Sequence, residues 1–277
     1  MTAVVEQMLS RYPRETDTQT AHAMREVMQE IALAGLNRGG FFEKAAFYGG
    51  TCLRIFHGLP RFSEDLDFSL LSADPAFRLT PYFGALLQEF AALGFEVEIT
   101  EKQKTAVTDI ASAFLKKSSS LYDIKINGQK TLKIKFEVDT EPPQGFLSEQ
   151  KLLLQPYSFH VNCFALPYLY AGKMHALLFR KWKNRVKGRD WFDFEWYVRQ
   201  SATLNLNHFA QRAKQSGHWH SDALGQEQFL AMLKVRIDQL DVESARNDVL
   251  PFIREPTGLA IWSKDYFAQL AQRIRFA

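Results

Sequence analysis

Between residues 61 and 71, in RFSEDLDFSLL, the apolar residues take up period two. Leu66, Phe68 and Leu70 alternate with Asp65, Asp67 and Ser69, which predicts a strand with one apolar and one acidic face. The run TLKIKFEVDT repeats the pattern, with Ile134, Phe136 and Val138 set against Lys133, Lys135, Glu137 and Asp139. Strands of this kind need a sheet that covers one face and leaves the other wet.

The flanking segments fill in the architecture. Met24, Val27, Met28, Ile31 and Ala32 follow i, i+3, i+4 spacing, so a helix is predicted over about 19 to 36, stopped by Gly39-Gly40. A short buried segment to Tyr48 then leads through Gly49-Gly50 into a helix begun by Thr51 and stopped by Gly58 and Pro60. A helix over about 81 to 93, strands at FEVEIT, LYDIKI and YSFHVNCFAL, and turn chemistry at EPPQG follow. From Pro167 onward the chain reads as mostly helical, closing on an amphipathic helix with Trp262, Tyr266, Phe267 and Leu270 on its packing face. The expected organisation is an α+β (α/β) domain over 1–165 and a helical C-terminal domain over 166–277.

A chain of 277 residues can bury a true core without crosslinks. The start carries no basic and apolar leader pattern, the most apolar window is about half a membrane span, and two distant cysteines make no framework, so a cytoplasmic protein without membrane contact is expected. The net charge of +3 hides an asymmetry. Residues 180–189 hold six basic side chains and no acid; the 34 basic residues less those six leave 28 against 31 acidic. Such a cluster (Arg180, Lys181, Lys183, Arg185, Lys187, Arg189) suits triphosphate or an RNA backbone, or else a solvated helix end. Arg180 lies seven positions after Lys173, on the same face if the helix runs on.

Three smaller patterns bear on chemistry. Gly49-Gly50-Thr51 at a helix start lets backbone approach a phosphate, and equally makes a tight strand-to-helix turn. Asp65 and Asp67, at i and i+2, leave one strand face together and can share a hard cation such as Mg²⁺ with substrate phosphates. Glu137 or Asp139 offers a third carboxylate, as one or two ions would need. Asp190 and Asp193 fall on the first turn of a helix, where capping alone could account for them, and His218-Trp-His220 lacks a third metal ligand.

In the order GGTCLR, PRFSEDLDF, KIKFEVD and AGKMHALLFRKWKNRVKGRDWFDF, the chain resembles the AbiEii/AbiGii toxin family of nucleotidyltransferases, within the DNA polymerase β-like superfamily. The resemblance runs from about residue 46 to 197. It implies a nucleotidyltransferase fold with a mixed sheet flanked by helices, and an enzyme of type IV toxin–antitoxin systems with an antitoxin partner. It implies that Asp65, Asp67 and Glu137 hold Mg²⁺ and that Gly49, Gly50, Thr51, Arg61, Ser63, Lys173 and Arg189 meet the nucleotide. Asp190 or Asp193 would match the aspartate of the last motif. The expected reaction moves NMP from an NTP to an acceptor hydroxyl, the 3′ end of tRNA by family analogy, blocking translation. A small-molecule acceptor, a γ-phosphotransferase and a non-catalytic RNA-binding module are the competing readings.

Overall fold

Thr16 opens the first long helix with a reciprocal cap. Its hydroxyl accepts the Gln19 N–H at 3.2 Å while the Gln19 side chain accepts the Thr16 N–H at 3.2 Å. The computed structural model describes residues 2–102, 119–126, 132–180, 186–221 and 223–277. They fall into two compact units: Met1–Cys52, Glu64–Gln144 and Ser148–Cys163 form the first, and Leu53–Ser63, Gly145–Leu147 and Phe164–Ala277 the second.

The first unit is built on α1 (Ala3–Leu9), α2 (Asp17–Arg38), β1 (Ala45–Tyr48), the first turn of α3 (Gly49–His57), β2 (Leu66–Leu70), α4 (Phe83–Ala92), β3 (Val97–Lys102), β4 (Ser119–Ile126), β5 (Leu132–Asp139), β6 (Ser148–Leu153) and β7 (Phe159–Phe164). The strands make a seven-stranded sheet in the order β3-β4-β5-β2-β1-β7-β6. It is mixed: β2 runs parallel to β5 and antiparallel to β1, while β1 runs parallel to β7.

Phe47, Phe68 and Phe136 are fully buried on neighbouring strands, with ring centroids 5.3 Å and 6.0 Å apart, and Phe41 stands edge-on to Phe68 at 5.0 Å. Aromatic contacts of this kind add to plain area burial. Because side chains alternate across a strand, burying this face fixes the register and sends Asp67, Lys135 and Glu137 to the other one.

In this unit two local expectations differ from the structure. The helix predicted from Thr51 begins at Gly49, so both glycines belong to its first turn. Strand β6 was not anticipated, since SEQKLL buries only Leu153 among its six residues.

The second unit contains α5 (Leu166–Phe179), α6 (Gly188–Arg199), β8 (Thr203–Leu204), α7 (Leu206–Gln215), α8 (Gln226–Asp238), α9 (Val242–Val249), α10 (Lys264–Ala271) and β9 (Arg275–Phe276). Tyr170 of α5 and Tyr197 of α6 stack at 4.2 Å with planes 7° apart. A Cβ at Gly188 would collide with the Ala245 carbonyl, so the start of α6 lies directly on α9 only because residue 188 has no side chain. The expected closing helix is shorter than its pattern suggested: a 3₁₀ segment over Pro256–Ile261 precedes α10. Trp262, Phe267 and Leu270 are buried as anticipated, and the Trp262 indole N–H donates to Glu195 at 2.7 Å. Among the described residues no helix is long and apolar enough to cross a membrane.

Candidate active site

The wet face of the sheet carries the acids. Asp67 of β2 is the register partner of Glu137 of β5, and side chains paired in this way leave the sheet on the same side. Asp139 pairs with Ser69 and accepts the Glu141 N–H at 3.2 Å, which ties it to the turn that ends β5. Glu137 is therefore the acid placed beside Asp67.

Gly49 and Thr51 fix the two aspartates from below. Gly49 has φ +83°, and a Cβ there would strike the Asp67 carboxylate. Glycine is thus required twice over, for its backbone conformation and for the approach of Asp67. Thr51 is fully buried and turned inward, its hydroxyl donating to the Asp65 carbonyl. In this structure it braces the backbone that precedes β2.

A cation already shares this face. Lys135 Nζ is 2.9 Å from Glu137 Oε2. Burial opposes its charge, but Glu137, then Asp65 and Asp67, more than offset that and raise its pKa above the ordinary lysine value. Among the described residues no three His, Cys, Asp or Glu side chains converge as ligands of one ion. The donors are nonetheless all hard carboxylate oxygens beside an accommodated cation, a set that fits Mg²⁺ held by one or two carboxylates plus substrate phosphates.

The second unit holds a compact ion network. Lys173 Nζ lies 2.7 Å from Asp190 Oδ1 and 2.7 Å from Asp193 Oδ2. Arg61 grips Asp193 with both prongs, Nε to Oδ1 at 2.5 Å and Nη2 to Oδ2 at 2.6 Å. Two cations and two anions balance. Asp193, Arg61 and Asp190 side chains are 0%, 3% and 4% exposed, and Lys173 is the member that reaches solvent, at 13%. Burial would raise the Asp190 pKa, yet Lys173 foremost, with Arg180 and Lys187, holds it below the usual carboxylate value. Both aspartates therefore orient Lys173 and face the protein interior. The backbone at Arg61 pairs with Ile253 and the Phe62 N–H donates to the Phe252 carbonyl at 2.7 Å, which holds the Arg61 fork in place.

Residues 31–275 match the model of the family described as Nucleotidyl transferase AbiEii toxin, Type IV TA system. The chain belongs to that family. The AbiEii assignment makes it a nucleotidyltransferase of a toxin family and implies an antitoxin partner and an NTP substrate. The fold is similar to that of MenT4, the nucleotidyltransferase toxin Rv2826c from Mycobacterium tuberculosis H37Rv, at 16% identity and TM-score 0.55, covering 99% of this chain and 88% of the other. It is also similar to that of JHP933 from Helicobacter pylori, at 16% identity and TM-score 0.51, covering 91% and 90%. No curated protein matches the chain.

Helix α5 ends at Phe179, and Arg180 is its C-cap in extended backbone, so the expectation of one continuous helical face from Lys173 to Arg180 does not hold. Lys181, Lys183 and Arg185 lie outside the described residues. Lys187 precedes α6, and the Arg189 guanidinium lies 3.9 Å from the centroid of the Phe252 ring. Ser63 is half-buried just before the acids.

Sequence reasoning passed over Arg54 and Arg254, whose guanidiniums lie 5.3 Å and 5.4 Å from the Phe62 ring centroid. Only the arginine-and-aromatic composition of these segments could have hinted at it. The histidines of HWH have a structural role at His218. Ser216 donates its hydroxyl to the Arg212 carbonyl at 2.8 Å, so its oxygen accepts from His218 Nδ1 at 2.7 Å and from His175 Nε2 at 2.8 Å. That pins the end of α7 to α5.

Proposed function

We propose that this AbiEii-family chain transfers NMP from an NTP to the 3′ hydroxyl of tRNA in a Mg²⁺-dependent reaction, and so blocks translation. The observation that carries the reading is the pairing of Asp67 with Glu137 across β2 and β5, with Asp65 two residues before Asp67 and a glycine cleared beneath it. Asp65, Asp67 and Glu137 would hold the metal. When bound, Mg²⁺ supplies Lewis-acid polarisation and charge neutralisation at the phosphates.

The chain's own residues do the rest. Gly49 and Gly50, in the first turn of α3, present backbone N–H groups at the positive end of the helix, which suits a phosphate oxygen. Lys173 is assigned to the nucleotide, its ammonium fixed by Asp190 and Asp193 and thus already oriented before substrate arrives. Arg61 acts one step back, by holding Asp193. Attack by the acceptor hydroxyl on the α-phosphorus forms the new ester, and pyrophosphate leaves. The arginines stacked on Phe62 and Phe252, with Arg180 and Lys187, support an RNA acceptor, since stacked guanidiniums present fixed donors to phosphates and bases.

Incubation with α-labelled and γ-labelled NTPs, Mg²⁺ and total tRNA tests the proposal. Label from the α position should appear on RNA with the wild type and not with Asp67→Asn. Equal transfer by both proteins overturns the site, transfer of γ-label overturns the reaction, and labelling of small hydroxyl compounds in preference to tRNA overturns the acceptor.

A further inference from the structure

We propose that Lys135 is the chain's own counter-ion for the Asp65, Asp67 and Glu137 face and competes there with the divalent cation. The inference rests on the metal role given to that face above and adds how the face is governed.

Strand alternation puts Lys135 and Glu137 on one side of β5, two residues apart, with the ammonium 2.9 Å from Glu137 Oε2. The register places Glu137 opposite Asp67. Asp65, Asp67 and Glu137 with the one ammonium of Lys135 leave a net charge of two minus, which one divalent ion neutralises; Lys133 and Asp139, further along the same face of β5, cancel one another. Without Lys135 the same face carries three. The ammonium thus holds part of the place that an ion would take.

Exchange is mechanically easy. The Lys135 side chain is 37% exposed on a four-carbon stem, while the neighbouring Ile134 and Phe136 are fully buried and hold the strand. A cation arriving at Glu137 displaces the ammonium without moving β5. The freed positive charge then stands beside the loaded face, where a polyphosphate chain would meet it. Lys135 is a positioning and tuning residue in this account, and its effect is read on metal affinity.

Mn²⁺ binding to the protein without nucleotide, followed by electron paramagnetic resonance titration, is the primary test. Lys135→Met should bind Mn²⁺ about 10-fold more tightly than the wild type, as expected for removing one nearby positive charge, and Lys135→Arg should stay close to wild type. Equal or weaker binding by a folded Lys135→Met protein overturns the proposal. A second measurement needs no variant: acetylation of wild-type lysines by acetic anhydride, read by mass spectrometry against Lys133 on the same strand. Saturating Mn²⁺ should raise the relative rate at Lys135 several-fold, and an unchanged or slower rate overturns the proposal. Mn²⁺ binding that is lost in Asp67→Asn but indifferent to Lys135 overturns the counter-ion alone. No Mn²⁺ binding by the wild type overturns the metal role and the counter-ion together.

Discussion

Asp193 has no exposed surface and three charged contacts, two from Arg61 and one from Lys173. Removing one partner of a buried ion network leaves an uncompensated charge, which typically costs about 3 to 5 kcal/mol. Asp193→Asn is therefore expected to lower the urea midpoint sharply. Lys173→Met, at the solvent-facing edge, should cost less stability while losing transferase activity. A Lys173→Met protein with wild-type activity would remove that lysine from the reaction. Gly49→Ala tests the acid face: the added methyl meets the Asp67 carboxylate, and a misplacement of about 1 Å can cost on the order of 10²-fold in rate. The loss should appear in turnover, with stability falling by about 1 kcal/mol from the positive φ. None of these partnerships could be read from the sequence. Arg61 and Asp193 are 132 positions apart, and in sequence Lys135 is one of several charges on a wet strand.

Among the elements, β2 and β5 were legible because each has a strict apolar face, with Leu66, Phe68, Ile134, Phe136 and Val138 all fully buried. Helix α2 was legible from its spacing, although its cap at Thr16 places the start two residues earlier than the pattern suggested. The illegible elements lack such a signal. Strand β6 is an edge strand whose Leu152 stays exposed, and β8 and β9 are two residues each, held by pairing with one another. The start of α3 is not legible because a glycine pair reads as a break, whereas the first glycine enters the helix with left-handed backbone. The capping box gives the element-scale prediction: Thr16→Ala should destabilise the first unit by about 1 kcal/mol, measurable as a lower midpoint in urea and undetectable in transferase rate at low temperature.

At the scale of the whole molecule, stability should fall with acid, and two kinds of group set the window. His208 is 2% exposed among Phe146, Phe164 and Tyr168, with neither ring nitrogen hydrogen-bonded. Burial, and then Arg212, pushes its pKa down to about 3. The buried His175 is likewise held well below the usual histidine range, first by burial and then by Arg212 and His218. A base whose folded pKa is depressed stays neutral in the fold and charges on unfolding. Its stabilising effect is whole above about pH 6.5 and drains away as the pH falls towards its folded value, by about 2 kcal/mol for His208 at pH 5. Asp190, also depressed, contributes above the ordinary aspartate pKa and is lost only below it. The urea midpoint should therefore drop between pH 7 and pH 5, and His208→Phe should flatten that slope. An unchanged slope would mean that His208 is reached by water or a partner.

The glycine beneath Asp67 also bears on inheritance. Every glycine codon becomes an alanine codon by one base change, so a single mutation at Gly49 sets a methyl against the Asp67 carboxylate, and the loss of turnover predicted for it would leave each charged residue of the motifs intact. A gene that harms its carrier can in this way fall silent and still read as complete. The residue to inspect first in any copy of such a gene is accordingly the one with no side chain.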